Sequence, residues 1–394
     1  MSRTKSNQCL EERGVEWPPV TSTPSIPVPT AHAFHTEYVE TTRLDMLLKA
    51  SPSHVLGIVR HDQNGQEPRG STDCPVVRLD LPQLYGPPLA EIWTSTRPVT
   101  YDQAEDVHCA MNDEVLFGTL HGEECPGTQL DTVTYNAYRR LLVQSRAMGY
   151  PHLLRIWNYF PHINRTSDGL ERYQRFCAGR YQALAEGLSG FPRTLPAGTA
   201  IGTLSGPLII HFLAARLPGT HIENPRQVRA YEYPPVYGPR SPSFARATLR
   251  LSGSGANLLI AGTASVVGHI SAHIGEPHKQ TREILHNLNA LLTQTERLHG
   301  IARGQWSGQA LFKIYVRHPE HVWAIRNILQ SRLPSQAQVL YLQGEMCRRE
   351  LLLEVEGVLG QESSIDVNRT VPPPPGCLHE PMVSQHEPNR FKRA

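Results

Sequence analysis

The order of extended and helical segments between residues 207 and 358 constrains the fold of this 394-residue chain more than any single motif. Extended runs come first, at 207–215, 227–233, 245–252 and 257–265, and the short Gly-containing link between the last two predicts a hairpin. The spacing then predicts a helix over 277–298, a strand over 310–317, a helix beginning at Pro319, and strands over 338–343 and 350–358. A β-meander followed by α, β, α, β and β predicts a mixed sheet packed against helices.

The first half of the chain shows a weaker copy of this order. Strand-like runs precede a predicted helix over 131–147, and the strand-like run "HLLRIWNYF" and a second helix over 169–187 follow it. The run "LLRIWNY" then matches "LFKIYVR", which pairs Arg155 with Lys313. An internal repeat explains this order, and the low identity of the two copies leaves coincidence as the alternative.

We therefore predict an α/β fold of the α+β type, built from two units in which a mixed β-sheet packs against helices. The predicted segments are an N-terminal arm over 1–35, one unit over 36–195, a second unit over 196–360 and a tail over 361–394. The sequence before residue 33 and after residue 370 is rich in proline and poor in periodic apolar residues, so we expect extended or disordered arms there.

Composition narrows the range of functions. The net charge is +2 and there is no block of basic residues, so we expect no nucleic-acid or membrane partner but a small-molecule substrate. The chain lacks a long apolar run and an apolar N-terminal signal, which predicts a cytoplasmic protein. Seven dispersed cysteines without a C-x-x-C pair predict free thiols. His269 and His273 lack a third ligand at a suitable spacing, so we expect no metal site.

Several glutamates occur in and around the last predicted strand, in "GEMCRRELLLEVEGV" (344–358). Alternate residues of a strand share a face, so Glu354 and Glu356 lie opposite Leu353 and Val355. From this alternation alone, a face exposed to water is the favoured interpretation.

Arginines beside aromatic residues give a stronger signal. They occur in "RIWNYFPHINR", "YEYPPVYGPRSPSFARA" and "KIYVR". The planar guanidinium group binds carboxylates through two parallel hydrogen bonds, and aromatic neighbours could enclose a flat ring; surface arginines beside core aromatics are the alternative. Gly262, near the end of a strand, indicates close approach of another group. The glycines of "GTAIGTLSG" (198–206) lack the lysine of a phosphate-binding loop, and we interpret this segment as an ordinary loop.

Six dispersed motifs occur together in one order: "HLLRIWNYFPHIN", "ERYQRFCAGR", "YGPRSPSFARA", "AGTASVVGH", "FKIYVRHPE" and "GEMCRRELLLEVEG". They resemble the chorismatase family, which hydrolyses or aromatises chorismate with loss of pyruvate. The resemblance covers about residues 150–358 and is weaker from about residue 40. The order of elements also resembles the RidA/YjgF fold, so the resemblance implies two RidA/YjgF-like units, of which the first is degenerate.

The resemblance implies a role for particular residues. Glu354 is the expected general acid, with Glu356 as the less favoured candidate, and Cys347 is expected to influence the product. The expected substrate-binding residues are Arg155, Arg246 and Arg317 for carboxylates, Tyr159 and Tyr237 for hydrogen bonds, and Gly262 with Thr263 for the floor of the cleft. Glu345 departs from the aspartate expected after the glycine, which puts a direct ligand role for this residue in doubt.

The function that the resemblance implies is conversion of chorismate to 3-hydroxybenzoate and pyruvate without a cofactor. Within the same family, the alternatives are hydrolysis to a dihydroxycyclohexadiene carboxylate and formation of 4-hydroxybenzoate. Alternatives of another class are a RidA-like imine deaminase and a non-catalytic ligand-binding protein. The sequence leaves a monomer and a trimer both open.

Overall fold

The computed structural model describes residues 33–50, 52–61, 73–104, 106–252, 255–306 and 309–362. Most of the predicted N-terminal arm and the predicted tail after residue 362 lie outside the described residues. The centre of the predicted hairpin link, at 253–254, lies outside them as well.

Sheet A contains the first four strands, with one helix on its outer face. Its elements are β1 (His35–Glu40), α1 (Thr41–Ala50), β2 (Val55–Arg60), β3 (Val76–Arg78) and β4 (Leu89–Thr94). The strand order is β1-β4-β2-β3, in which β2 and β3 are parallel and the other pairs antiparallel. Leu44 and Leu48 of α1 pack against Ile58 and Ile92 of the sheet, which buries one face of this short helix.

Sheet B follows and has two helices on one face. Its elements are β5 (Thr100–Ala104), β6 (Val107–Met111), β7 (Val115–Gly122), α2 (Leu130–Ala147), β8 (His152–Pro161), the short strands β9 (Thr166–Ser167) and β10 (Leu170–Glu171), α3 (Arg172–Gly187), β11 (Ala197–Thr203) and β12 (Leu208–Ala215). The order is β5-β6-β7-β12-β8-β11, while β9 and β10 pair separately. Tyr138 of α2 and Phe176 of α3 pack against Phe160 and Phe212 of the sheet.

Sheet C is formed by the last part of the described chain. Its elements are β13 (Thr220–Ile222), β14 (Ala247–Ser252), β15 (Gly255–Ala264), the short strands β16 (Val266–Val267) and β17 (Ile270–Ser271), α4 (Pro277–His299), β18 (Gln309–Val316), α5 (Val322–Gln330), β19 (Gln338–Gln343) and β20 (Leu353–Glu362). The order is β13-β14-β15-β20-β18-β19, while β16 and β17 pair separately. Ile284 and Leu288 of α4 and Ile325 of α5 pack on its outer face.

Sheets B and C have the same topology. In each, a three-stranded antiparallel meander precedes helix, strand, helix, strand, strand, and the last strand inserts beside the third. β12 thus lies between β7 and β8 as β20 lies between β15 and β18, and the parallel pairs β8–β11 and β18–β19 correspond. The predicted α+β class is confirmed, and the predicted repeat is present in the topology.

The structure corrects one predicted unit boundary and one segment that was predicted to be extended. The predicted limit at 195/196 separates β11 and β12 from β8, to which both are hydrogen-bonded, so the second unit, which contains sheet C, begins after Ala215 instead. Residues 227–233, predicted to be extended, form a loop with a short 3₁₀ turn at Ala230–Glu232. This loop contains alternating aromatic residues, a pattern that also occurs on strands.

The three sheets share one core on the faces that the helices leave uncovered. Trp93 of sheet A, Trp157 and Tyr159 of sheet B and Tyr315 of sheet C are all buried in it. The indole rings of Trp93 and Trp157 meet edge to face at 5.7 Å. Large aromatic side chains bury much apolar area each, and they fix the inner faces of sheets B and C against each other.

No helix in the described part of the chain combines the length and the apolar character needed to cross a membrane. The compartment inferred from the sequence stays a prediction.

Candidate active site

A cavity of about 260 Å³ lies where β11, at the edge of sheet B, meets sheet C. Residues of α3 and β11 form one side, and residues of β15, β20, the 227–246 loop and the 347–351 segment form the other. Two glycines let β11 approach closely: an added Cβ would lie 3.0 Å from Phe244 Cβ at Gly198 and 2.8 Å from Glu345 Cβ at Gly202. The volume is near the lower end of ligand pockets, about 300 Å³, and suits a small molecule.

Glu354 of β20 reaches into this cavity. The residue is 5% exposed, and an added Cβ at Gly262 would lie only 1.8 Å from its Oε1, so the carboxyl group occupies the space that the glycine leaves. Burial, and then the charge of Glu356, raise its pKa to about 8 against the opposing effect of Arg155 and Arg246. Glu354 is therefore a neutral acid at neutral pH.

Glu356, two residues further along β20, faces a buried cluster of donors instead. Its carboxylate accepts hydrogen bonds from Arg155 Nη2 at 2.8 Å, Thr199 Oγ1 at 2.7 Å and Trp157 Nε1 at 3.0 Å. Lys313 Nζ lies 3.2 Å away. Burial alone would raise the pKa of Glu356, but Lys313, Arg155 and the Thr199 hydroxyl outweigh it and hold the pKa below its usual value. This residue is an anion.

Two buried arginines face the cavity without a carboxylate partner among the described residues. Arg246 Nη2 donates to Val228 O and to the Tyr233 hydroxyl, while its Nε has no acceptor. Arg180 of α3 is 2% exposed, and neither its Nε nor its Nη2 has an acceptor. Both guanidinium groups lie near the Phe244 ring, at 5.0 and 6.0 Å from its centroid. Buried donor nitrogens without acceptors and buried charges without a counter-charge are costly, and an anionic ligand would satisfy both.

An aromatic wall closes one side of the cavity. Arg348 stacks on the Tyr237 ring, with its Cζ 4.0 Å from the centroid, and donates to His269 O and Ser271 Oγ. The Tyr237 hydroxyl donates to His269 O at 2.7 Å. Tyr237 therefore offers its ring to the cavity, while its hydroxyl holds the wall together.

Comparison with known proteins identifies the family. The family model described as chorismatase FkbO/Hyg5-like, N-terminal, matches residues 91–214. A 3-hydroxybenzoate synthase from Streptomyces hygroscopicus is 34% identical over 314 residues, which make up 78% of this chain and 92% of that protein. The chain belongs to the chorismatase family.

Further relatives agree with this assignment. A chorismatase from Streptomyces rapamycinicus is 35% identical and aligns with 77% of this chain over 92% of its own length. A chorismatase crystal structure superposes with a TM-score of 0.75 and 33% identity, over 84% of this chain and 100% of that one. A Rid-family protein from Yersinia pestis covers 36% of this chain at a TM-score of 0.26 and 18% identity, and this partial likeness adds no argument.

The structure brings together five of the nine residues expected to form the chorismatase site. Glu354, Cys347, Tyr237, Arg246 and Gly262 all line the cavity. Cys347 is partly buried, and burial raises the pKa of its thiol to about 12, so the thiol is neutral. Gly262 lines the cavity, and its missing side chain leaves room for the Glu354 carboxyl group.

The other four residues do not line the cavity. Arg155 is 1% exposed and is bound to Glu356 and Thr199, and the Tyr159 hydroxyl meets that of Tyr315 at 2.8 Å. Both therefore lie in the buried cluster behind the cavity. Thr263 donates to the carbonyl of Ala261 within its own strand.

Arg317 is also placed differently from the expectation. Its Nε donates to Leu351 O at 2.9 Å, and its Nη2 donates to Met346 O and Arg348 O. Since three backbone carbonyls already bind this guanidinium group, it orders the 345–352 segment rather than meeting a ligand. Glu345 lies beside it, with Oε1 3.7 Å from Arg317 Nη1, and does not line the cavity.

Thr199 and Arg180 are two of the cavity residues that sequence reasoning missed. Thr199 lies on β11 within the segment that we interpreted as a loop. Arg180 lies in "ERYQRFCAGR", one of the resembling motifs, and stacks on Phe176 one helical turn earlier at 4.8 Å. That i, i+4 spacing of an aromatic residue and an arginine was a usable signal. Within the described residues, no group of three or more His, Cys, Asp or Glu could hold a metal ion.

Proposed function

We propose that this protein converts chorismate to 3-hydroxybenzoate and pyruvate, with Glu354 as the general acid. The observation that carries the proposal is a buried carboxyl group with a pKa raised to about 8, placed in a cavity that is also faced by two guanidinium groups without a carboxylate partner among the described residues. The acid supplies the proton for the reaction, and the guanidinium groups supply the charge that binds a dianionic substrate. Membership of the chorismatase family supports chorismate as that substrate.

The reaction begins with transfer of the Glu354 proton to the methylene carbon of the enolpyruvyl ether. The resulting oxocarbenium ion weakens the bond between the ring carbon and the ether oxygen. When that bond breaks, its electron pair goes to the oxygen, which becomes the keto oxygen of pyruvate. A general acid works best when its pKa lies near the working pH, which the burial of Glu354 provides.

The two carboxylates of chorismate require fixed cations. Arg246 and Arg180, which both lie near the Phe244 ring, supply them, and each has at least one donor nitrogen without an acceptor among the described residues. A guanidinium group binds a carboxylate through two parallel hydrogen bonds and so fixes the orientation of the ring. The ring of Tyr237, with Arg348 stacked on it, encloses the flat substrate on one side.

The product depends on which oxygen replaces the departing pyruvate. If the neighbouring ring hydroxyl attacks, its proton returns to the Glu354 carboxylate and rearrangement of the ring gives 3-hydroxybenzoate. Together, 3-hydroxybenzoate and pyruvate contain all the atoms of chorismate, so this outcome consumes no water and needs no oxidant. Attack by water would add one molecule of water and give the diol acid. Cys347 favours the first outcome by filling space beside Glu354.

Incubation with chorismate and a coupled assay for pyruvate tests the proposal. We expect pyruvate release, with 3-hydroxybenzoate in equal amount by chromatography. Pyruvate with the diol acid or with 4-hydroxybenzoate would contradict the product alone. Ammonia release from an imine without any pyruvate from chorismate would favour the RidA-like alternative. Binding of chorismate without turnover at micromolar enzyme would favour a non-catalytic binding protein. Sedimentation of the purified protein distinguishes a monomer from a trimer.

A further inference from the structure

The Thr199 hydroxyl lies where the cavity meets the buried ion cluster. Thr199 is 2% exposed on β11 and also lines the cavity. Its Oγ1 lies 2.7 Å from Glu356 Oε2, 2.5 Å from Arg155 Nη2 and 2.9 Å from the Gly262 amide nitrogen. A hydroxyl has one hydrogen and two lone pairs, so it donates to Glu356 and accepts from both nitrogens. All of its hydrogen-bonding capacity is used.

The hydrogen bond from the Gly262 amide to Thr199 Oγ1 lies at a β-bulge of sheet C. Along the β15–β20 pair, Ile260 lies opposite Gly357 and Thr263 lies opposite Val355, so β15 contains one extra residue between these positions. Such a β-bulge turns backbone groups away from the neighbouring strand. The Gly262 amide does not pair with β20 and donates to Thr199 instead.

The same bulge makes the space for the acid. At Gly262 an added Cβ would lie 1.8 Å from Glu354 Oε1 and 3.2 Å from Thr199 Oγ1. The Thr199 hydroxyl and the Glu354 carboxyl group thus both lie beside the backbone of Gly262. Thr199 belongs to sheet B and the other two belong to sheet C. The Thr199 hydroxyl therefore links sheet B to sheet C beside Glu354.

We propose that Thr199 is a positioning residue that fixes the Gly262 bulge and thereby holds Glu354 at the atom it protonates. This role rests on the proposed function, because it is defined for proton transfer by Glu354. Thr199 does not deliver the proton itself, since its own hydrogen is held by the Glu356 carboxylate. Displacement of a reacting group by about 1 Å can cost about 10²-fold in rate. Loss of the hydroxyl is therefore expected to lower kcat more than it changes KM.

Thr199→Val tests this role, since valine has nearly the shape of threonine and cannot form the three bonds. We expect kcat to fall by about 10²-fold and KM to stay within about 3-fold, because the cavity arginines are untouched. Thr199→Ser keeps the hydroxyl and should restore most of the turnover. Thr203→Val is the matched control, because Thr203 is buried on the same strand, does not line the cavity, and its hydroxyl has no partner among the described residues. This control should behave as wild type.

A second measurement does not depend on activity. Hydrogen exchange of the Gly262 amide should be slow in wild type and Thr199→Ser, and fast in Thr199→Val, if the bond to Oγ1 protects it. Wild-type kcat in Thr199→Val, or equally low kcat in Thr199→Ser, overturns the role of Thr199 while the proposed function stands. If Thr199→Val fails to fold, Thr199→Ala replaces it. Failure of both to fold, with Thr199→Ser folded, overturns the role too, since the hydroxyl then holds the fold. Absence of pyruvate from wild type overturns the proposed function and this role with it.

Discussion

Glu354 and Glu356 lie two residues apart on the same face of β20, and their surroundings shift their pKa values in opposite directions. The Glu354 carboxyl group is buried beside the cavity, and no cation among the described residues forms a hydrogen bond with it. Glu356 lies between Lys313 and Arg155. Two carboxyl groups whose environments separate their pKa values can divide the roles of acid and anion between them. Here the anion also raises the pKa of the acid, because like charges oppose each other.

The first prediction concerns turnover. Glu354→Gln should lower kcat by at least about 10²-fold, the usual effect of losing a general acid, while the Kd for chorismate stays close to that of wild type. Single-turnover rates and binding by calorimetry measure the two effects. Wild-type kcat in this variant would contradict the role of Glu354 and would move the search to Glu350, which also lines the cavity.

The second prediction concerns pH. The acid must be protonated before it can react, so kcat/KM, which reports the free enzyme, should be constant below the pKa of Glu354 and should fall tenfold per pH unit above about pH 8. The groups that face Glu354 include Glu356, Arg155, Arg246 and Cys347, and the pKa of that thiol is raised to about 12. Cys347→Ala should therefore keep the alkaline limb. A limb near pH 4 to 5 instead would mean that the reacting carboxyl group is not desolvated.

The third prediction concerns stability. The raised pKa of Glu354 means that the folded state binds this proton more tightly than the unfolded chain, whose glutamates titrate near 4.3. The contribution of this proton to the free energy of unfolding is therefore fully present below about pH 4.3 and is lost as pH rises through about 8. Glu354→Gln carries no charge at any pH and should be more stable than wild type at pH 8, by up to about 5 kcal/mol, because a pKa displaced from about 4.3 to about 8 is worth that much.

Glu356→Gln is the matched control for that experiment, with the opposite expected sign. It removes the carboxylate between Lys313 and Arg155 and leaves buried positive charge, which should destabilise the protein by about 3 kcal/mol. Urea unfolding of the three proteins at pH 8 gives the order Glu354→Gln, wild type, Glu356→Gln. If both variants destabilise equally, the two carboxyl groups do not differ in ionisation as described.

The sequence predicted the topology of these sheets better than it predicted the environment of β20. Period-2 and helical spacing are local signals, so the sequence predicts single elements well. The strand predicted over 338–343, for example, has the same bounds as β19. Whether a strand face meets water depends on what packs on it. Sheet B covers the face that carries Glu354 and Glu356, so the favoured solvent-exposed interpretation was wrong, and only the family resemblance indicated a cleft.

The match between "LLRIWNY" and "LFKIYVR" predicted the repeat but not which contacts the paired residues make. Arg155 and Lys313, paired by the alignment, both bind Glu356 from facing sheets. Arg155 does not line the cavity and binds Glu356 behind it, which the sequence could not indicate because a position in one strand does not reveal what the other sheet places opposite it. The segment over 198–206 was interpreted as an ordinary loop because its glycines lack the lysine of a phosphate-binding loop. Its first part instead belongs to the buried strand β11, where Gly198 and Gly202 allow close packing.

The fourth prediction replaces a binding role for Arg317 with an ordering role. Arg317→Ala should lower stability by about 1–3 kcal/mol, because three carbonyls of the 345–352 segment lose their donors. It should also lower kcat, since that segment carries Cys347. Arg317→Lys keeps the charge but not the planar fork, so it should fall between wild type and alanine. Arg282→Ala, at an exposed position of α4, is the control. A stable Arg317→Ala enzyme with only a raised KM would return this residue to substrate binding.

The last prediction concerns the choice of product. Cys347 lines the cavity and packs at the edge of a small apolar cluster of Ala264, Val266, Met346 and Leu351. Its neutral thiol behaves as a small hydrophobe and fills more space than a methyl group. In Cys347→Ala the space beside Glu354 becomes larger, and water can compete with the ring hydroxyl for the carbon that pyruvate leaves.

We therefore expect wild type to give mainly 3-hydroxybenzoate and Cys347→Ala to give a larger share of the diol acid, with total pyruvate release within about 10-fold of wild type. Cys347→Ser, of similar size but polar, separates volume from polarity: a wild-type product ratio would indicate that volume decides. Cys125→Ala, at an exposed cysteine, is the control for loss of a thiol. Chromatography with absorbance and mass detection gives the ratios. An unchanged ratio in Cys347→Ala would remove the thiol from product control, since a residue that excludes water from the reacting carbon must change the water-derived product when it is made smaller.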